Sequence, residues 1–147
     1  MKLSLSLLLG LLLFSTSPTV SQNKQDQRLE SGPDAVTVRG YILDAMCGDV
    51  LAKKQKDLMQ KASKHTRKCG LAEACAASGY GVFTEGRWVK FDAEGNKLAK
   101  AALEKSTKER DLLFSVTGQM KDGLLAVATI TEVRPEEMEN DAPYRQG

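Results

Sequence analysis

The chain has 147 residues, with 21 basic residues against 19 acidic ones and a formal net charge of +2. This length allows one domain after an N-terminal leader is set aside, and excludes two. A net charge this small supplies no long-range attraction to nucleic acid or anionic lipid, so a nucleic-acid partner is not expected.

The N-terminal 21 residues have the layout of a secretory signal peptide. Lys2 supplies the positive charge, residues 3–14 form an apolar run, and a small, polar stretch follows. Thr19 and Ser21 fit the −3 and −1 positions of a cleavage site after Ser21. The apolar run is shorter than the ~20 residues that a bilayer crossing needs. We therefore expect residues 1–21 to be removed, giving a periplasmic or extracellular protein without a membrane span.

The first half of the mature chain predicts one strand and two helices. Residues 22–35 are polar and are expected to form a flexible lead-in. Residues 36–43 alternate and are rich in β-branched side chains, which predicts a strand, and Gly40 within it indicates a bulge or a sharp bend. Residues 49–64 predict a helix and residues 71–77 a second, short helix. The apolar face of the first helix consists of Leu51, Leu58, Ala62, His65 and Cys69.

The second half of the chain predicts two hairpins separated by a helix. The first hairpin, residues 80–91, turns at Glu85–Gly86, and the second, residues 112–133, turns at Asp122–Gly123. Between them Asn96 is the expected N-cap of a helix over residues 97–106. One face of the fourth strand is expected to carry Leu112, Phe114, Val116 and Met120. Residues 134–147 form an acidic tail that is expected to be disordered.

The predicted elements match the connectivity of an OB-fold, a small, partly open Greek-key barrel. We expect a mainly β, α+β domain over residues 36–133, with five strands and a helical insertion between strands one and two. A five-stranded meander with helices on one side is the alternative. In the OB-like arrangement six residues should be buried together: Val36, Val38, Ile42, Phe91, Phe114 and Val116.

The helical insertion contains every cysteine of the chain and its single histidine, namely Cys47, His65, Cys69 and Cys75. His65 and Cys69 are four residues apart and share a helix face. Antiparallel pairing of strands one and two would bring Cys47 close to Cys75. The sequence has no nucleophile elbow, phosphate loop or Cys-x-x-Cys pair, so no catalytic residue is assigned and a non-enzymatic role is favoured.

Three interpretations of this set remain open. A disulfide between Cys47 and Cys75 would close a 29-residue loop and add ~3–4 kcal/mol, which suits an exported protein. A metal site formed by Cys47, His65, Cys69 and Cys75 would suit zinc, or copper(I) with Met46 nearby. In the third interpretation the histidine and cysteines are ordinary core residues, and no cofactor is bound.

Three segments, residues 40–47, 65–69 and 75–82, carry a resemblance to a known group. They read Gly-Tyr-Ile-Leu-Asp-Ala-Met-Cys, His-Thr-Arg-Lys-Cys and Cys-Ala-Ala-Ser-Gly-Tyr-Gly-Val. The chain resembles small exported bacterial proteins of unknown function, in which Asp-x-x-Cys ends a strand and His-x-x-x-Cys and a further cysteine follow. Those proteins often have three residues between the last two cysteines, and this chain has five. The resemblance implies that the Cys/His set acts as a unit on an OB-like barrel, and it implies no activity.

The leading hypothesis is an exported binding module whose Cys/His cluster forms a disulfide staple or binds zinc or copper. The first alternative is a thiol-based redox protein that uses Cys69, which would be activated by its basic neighbours. The second is a barrel face that binds an anionic glycan or a protein. That face would consist of Tyr80, Phe83, Trp88 and Phe91. The partner is thus a small ligand, a metal or a protein.

The signal-peptide assignment predicts the N-terminus of the mature protein. N-terminal sequencing of the exported form should begin at Gln22 or within a few residues of it, because Ser21 completes the cleavage motif. Recovery of the protein from the cytoplasm with Met1 retained would contradict the assignment.

Overall fold

A computed structural model describes residues 34–134 and residue 137. The predicted signal peptide, most of the lead-in and nearly all of the acidic tail lie outside these residues. The described elements in chain order are β1 (Val36–Asp44), α1 (Ala45–Ala52), α2 (Leu58–Ser63), α3 (Arg67–Gly70), α4 (Glu73–Ala77), β2 (Tyr80–Thr84), β3 (Arg87–Lys90), α5 (Ala93–Lys105), β4 (Leu113–Lys121) and β5 (Leu124–Glu132).

The five strands form one open antiparallel sheet in the order β3-β2-β1-β4-β5, so the fold is α+β. The central strand β1 pairs with β4 from Val36 to Tyr41 and with β2 from Tyr41 to Asp44. A parallel bridge joins Phe91, just after β3, to Leu125 in β5. The helices α1 to α4 lie between β1 and β2 along the chain, where the insertion was predicted.

Both predicted hairpins are confirmed. Glu85 and Gly86 connect β2 to β3 with φ angles of 48° and 74°, and Asp122 and Gly123 connect β4 to β5 with φ angles of 52° and 78°. Two consecutive residues with positive φ are the signature of the type I′ turn, whose twist matches that of the flanking strands.

The expected bulge at Gly40 does not occur, because the β1–β4 pairing runs through Gly40 without a shift in register. A Cβ atom at Gly40 would instead collide with the carbonyl oxygen of Phe83 and with Val82. The glycine therefore permits β1 and β2 to approach closely. Within the described strands the register shift lies between Thr117 and Gly118 of β4, opposite β5.

The single helix predicted over residues 49–64 is wrong. The chain leaves α1 after Ala52 and enters α2 at Leu58, and Asp57 has a left-handed φ of 57°. No apolar residue occurs in residues 53–57, so nothing holds that stretch against the core.

The predicted N-cap of the later helix is also wrong. The N-cap of α5 is Asp92, whose carboxylate accepts a hydrogen bond from the Gly95 N–H at 2.8 Å. Asn96 lies inside the helix, where its side-chain oxygen accepts from the Tyr80 N–H at 2.7 Å. Asn96 thus ties α5 to the start of β2 instead of capping the helix.

Two hydrophobic cores share the sheet because Ile42 and Leu43 project to opposite faces of β1. The first core contains Ile42, Phe91, Leu103, Phe114, Val116 and Leu125. The second, under α1 and α2, contains Leu43, Leu51, Ala62 and Phe83. Of the six residues predicted to be buried together, four lie in the first core and Val38 packs against it, but Val36 at the start of β1 is exposed.

Met120 differs from the other residues predicted for its strand face, since it is 54% exposed whereas Leu112, Phe114 and Val116 are buried. It lies next to the hairpin turn, where β4 extends towards its exposed end. Within the described part of the chain, no helix has both the length and the apolar character that crossing a membrane requires.

The contrast between Phe114 and Met120 gives a test of where the core ends. Phe114→Ala should lower the free energy of unfolding by about 3–5 kcal/mol, since it empties a fully buried site. Met120→Ala, the control on the same strand, should change it by less than about 0.5 kcal/mol. Urea unfolding of both variants measures the difference, and similar losses would contradict the described face of β4.

Candidate metal centre

Four side chains, one from the end of β1 and three from the helical insertion, lie close together. Asp44, Cys47, His65 and Cys69 each present one potential ligand atom, and these four atoms all lie within 4.8 Å of one another. Asp44 is fully buried and the other three residues are half-buried. They come from the end of β1, the first turn of α1, the loop after α2, and α3.

Two helix caps place the two cysteines. Asp44 is the N-cap of α1, and its Oδ1 accepts from the Cys47 N–H at 3.0 Å. Thr66 is the N-cap of α3, and its hydroxyl oxygen accepts from the Cys69 N–H at 3.0 Å. Each cysteine is therefore the third residue of a capped helix, which is the position whose N–H an N-cap side chain reaches. The repeated cap-x-x-Cys arrangement fixes both thiols at helix starts.

The break between α1 and α2 brings His65 back to the start of the insertion. A straight helix would separate Cys47 from His65 by ~27 Å. After the break, His65 Nε2 lies 2.8 Å from Asp44 Oδ2. The two oxygens of Asp44 thus have different partners, one on the backbone of α1 and the other on the imidazole.

The Asp44–His65 contact sets the direction of the hydrogen bond between the two side chains. Burial by itself would raise the pKa of Asp44, but the hydrogen bonds from His65 and from the Cys47 N–H outweigh it and hold the pKa below the ordinary value of 3.8. An ionised carboxylate only accepts hydrogen bonds, so His65 Nε2 is the donor. His65 Nδ1 is buried and has no hydrogen-bond partner among the described residues. In a neutral imidazole that nitrogen carries the lone pair that binds a metal.

Cys47 and Cys75 resist ionisation where no cation is present. Burial, followed by the charge of Asp44 and the proximity of Cys69, raises the pKa of Cys47 to about 12. Loss of hydration and the same two neighbours also raise the pKa of Cys75. Neither thiol is thus a ready nucleophile at neutral pH, and a bound metal would have to displace its proton.

Three of the four predicted metal ligands, Cys47, His65 and Cys69, belong to this group. Cys75, on α4, lies beside Cys69 and Asp44 but outside the four atoms that approach one another. All three cysteines are free thiols, so no disulfide joins them here, and the Cys47–Cys75 bond stays a prediction. Asp44 is absent from the predicted ligands, although the sequence carries a signal for it: a polar residue that ends an apolar strand and starts Asp-x-x-Cys.

The four aromatic residues proposed as a binding face mainly pack inside the protein. Tyr80, Phe83 and Phe91 are buried, and half-buried Trp88 stacks on Phe83 with 6.2 Å between ring centroids. The Tyr80 hydroxyl donates to the Gly70 carbonyl at 2.8 Å, next to Cys69. Their packing role is clear, and a ligand-binding role for them stays a prediction.

Asp49 and Gly48 hold α1 against β3, a contact that no sequence pattern indicates. Asp49 accepts hydrogen bonds from Trp88 Nε1 at 2.9 Å and from Lys90 Nζ at 2.8 Å. A Cβ atom at Gly48 would collide with the Trp88 ring, so only glycine allows this close approach. Cys47, the residue before Gly48, is positioned by the same contact.

The lowered pKa of Asp44 predicts how stability depends on pH. The contribution of the carboxylate is fully present above 3.8 and is lost as the pH falls through the lower pKa of the folded state. At pH 7 Asp44→Asn should lower the free energy of unfolding by about 1.5–3 kcal/mol, since it weakens buried hydrogen bonds to a charged group. Below pH 3.8 the variant should lose less additional stability than the wild type does.

Urea unfolding between pH 7 and pH 3, with chelator and reductant present, measures this dependence. Glu104→Gln, at an exposed carboxylate of α5, is the control and should keep the wild-type dependence. An Asp44→Asn variant with the wild-type pH profile would show that the Asp44 carboxylate does not carry the effect.

Comparisons of this chain with protein-family models, with curated proteins and with solved structures found no match. The chemistry of the cluster therefore rests on its own geometry.

Proposed function

We propose that this protein is an exported, non-enzymatic binding module that holds a transition-metal ion in the cluster of Asp44, Cys47, His65 and Cys69. The observation that carries the proposal is the mutual approach of the four ligand atoms within 4.8 Å. In a tetrahedral zinc site the sulfur atoms lie about 3.8 Å apart and the nitrogen and oxygen atoms about 3.3 Å apart, given the bond lengths. Small side-chain rotations would therefore complete such a site.

The ligand types favour zinc among the metals. Two thiolates, an imidazole and a carboxylate are all ordinary zinc ligands. Copper(I) prefers a purely soft set, and the Asp44 carboxylate is hard, so copper fits less well. Magnesium and calcium prefer oxygen throughout, and two cysteines disfavour both.

Cys75 offers a second version of the same site. In this version Asp44 orients His65 through the 2.8 Å Nε2 contact, leaving the unpartnered Nδ1 as the ligand atom. A carboxylate that holds a metal-binding histidine in this way is a common outer-shell arrangement. The fourth ligand would then be Cys75, which lies beside Cys69. The two versions share Cys47, His65 and Cys69 and differ only in the fourth ligand.

The sheet order also supports an OB-like barrel as the scaffold of this site. The order β3-β2-β1-β4-β5 and the parallel bridge between Phe91 and Leu125 bring the two outer strands together at one end. An OB-fold has five strands in a partly open barrel, with a helix between the third and fourth strands. Here α5 occupies that place along the chain.

A redox role for Cys69 has weaker support than metal binding. Such a role needs a partner thiol that readily forms a thiolate, and the raised pKa values of Cys47 and Cys75 oppose this. The same thiols suit a metal site, because a bound cation replaces the proton that they otherwise retain.

Zinc binding by the mature, reduced protein tests the proposal. Native mass spectrometry should find one zinc ion per chain, and Cys47→Ser and Cys69→Ser should each weaken zinc binding at least tenfold, since each removes a ligand thiolate. Cys75→Ser decides the fourth ligand, because it should cause a comparable loss of affinity if Cys75 binds the metal and no loss if Asp44 does; Asp44→Asn should weaken zinc binding in both versions, as a ligand or as the partner of His65.

The opposite result has a distinct signature. In protein purified without reductant, absence of zinc together with a mass lower by two protons would show a disulfide staple and remove the metal proposal. Equal zinc affinity in the Cys47→Ser, Cys69→Ser and wild-type proteins would also contradict it.

A further inference from the structure

A cleft of about 470 Å³ lies beside the cluster, between the end of β1 and the helices α1 and α2. This volume falls within the range of small-molecule sites, which are mostly apolar with a few placed polar groups. Cys47 and His65 line part of the cleft, and among residues 34–134 no acidic residue lines it. The remaining lining residues form an apolar set and a set of lysines. Each set gives separate information about the ligand that the cleft would bind.

The apolar set includes two exposed side chains on one face of α1. Met46 is 54% exposed and Val50 is 58% exposed, and they are four residues apart, so they are neighbours on the helix surface. Neighbouring exposed apolar side chains at the rim of a cleft are a feature of ligand-binding grooves. Leu43 and Leu51 continue this apolar surface inwards and are themselves buried.

The lysine set is Lys54, Lys61 and Lys64. Within residues 34–134 none of the three forms an ion pair, and the Lys61 Nζ donates only to the Lys56 carbonyl, at 2.6 Å. Three positive charges without acidic partners at one cleft create a local potential that attracts an anion. The lysines favour an anionic group and the apolar surface favours a hydrocarbon group, so a ligand that carries both groups fits this cleft.

We propose that this cleft binds a single-chain anionic amphiphile, meaning a hydrocarbon chain that carries a carboxylate or a similar anionic group at one end. The chain would cover Met46 and Val50, and the anionic group would lie among the lysines. A neutral apolar ligand would leave the lysines unused, and a cationic amphiphile would be repelled by them. The proposal does not depend on metal in the neighbouring cluster.

Decanoate, used below its micelle-forming concentration, is the probe. Isothermal titration of the mature protein should show one saturable site. The double variant Lys61→Gln/Lys64→Gln should bind decanoate at least tenfold more weakly, and Val50→Asp should abolish binding. Lys100→Gln, at an exposed lysine of α5, is the matched control and should leave the affinity unchanged.

Three outcomes would overturn the proposal. The first is the absence of saturable decanoate binding, and the second is equal binding in the double lysine variant. The third is equal binding of decyltrimethylammonium, which has the same chain and the opposite charge and should bind at least tenfold more weakly. Binding only to phosphatidylglycerol vesicles, without a decanoate site, would assign the lysines to a membrane surface and reject the cleft.

Two measurements keep the result interpretable. Far-UV circular dichroism identifies any variant that fails to fold, and the lysine variant still decides the proposal if Val50→Asp unfolds. Zinc stoichiometry, measured on every variant, separates this proposal from the previous one. A variant that loses decanoate binding and retains zinc identifies a residue of the cleft. A variant that loses zinc and retains decanoate binding identifies a residue of the cluster.

Discussion

The helical insertion depends on the hydrogen bonds that the buried carboxylate of Asp44 accepts. It stands where the central strand ends, caps α1 with one oxygen and accepts from His65 with the other. A buried charge is costly unless it is fully hydrogen-bonded, and both oxygens have a partner here. The same group thereby connects β1, α1 and the segment after α2.

Backbone hydrogen bonds fix the insertion at two further places, one where it joins the sheet and one on the side that faces the segment after α5. At the base, the Ala45 N–H donates to the Gly79 carbonyl at 2.8 Å. At the far side, the Arg67 N–H donates to the Glu109 carbonyl at 2.9 Å, on the segment after α5. Short helices have little stability of their own, so these tertiary contacts and the second core fix their positions. The packing of the whole insertion therefore holds the side chains of Asp44, Cys47, His65 and Cys69 close together.

Two kinds of feature could be predicted from the sequence: those that depend on neighbouring residues alone, and those that involve rare residue types. The Asp122–Gly123 turn and the alternation of Phe114 and Val116 are local, so the second hairpin was predictable. Cysteine and histidine are rare in this chain, which made three members of the cluster visible, whereas Asp44 is one of 19 acidic residues. The break before Leu58 and the choice of N-cap depend on tertiary packing, which helical periodicity does not encode.

The position of β1 in the middle of the sheet has a consequence for how the protein folds. Val36 pairs with Gly118, and the hydroxyl groups of Thr37 and Thr117 share a hydrogen bond. The first part of the central strand thus pairs with residues about 80 positions further along the chain. Pairings of such long range make folding slow, because chain entropy is lost before the contacts are gained. The first part of β1, Val36 to Tyr41, is therefore paired with β4 only after the C-terminal hairpin has been made, whereas its end at Asp44 pairs with Tyr80 of β2. Synthesis must therefore reach β5, the last of the described strands, before all five strands can pair.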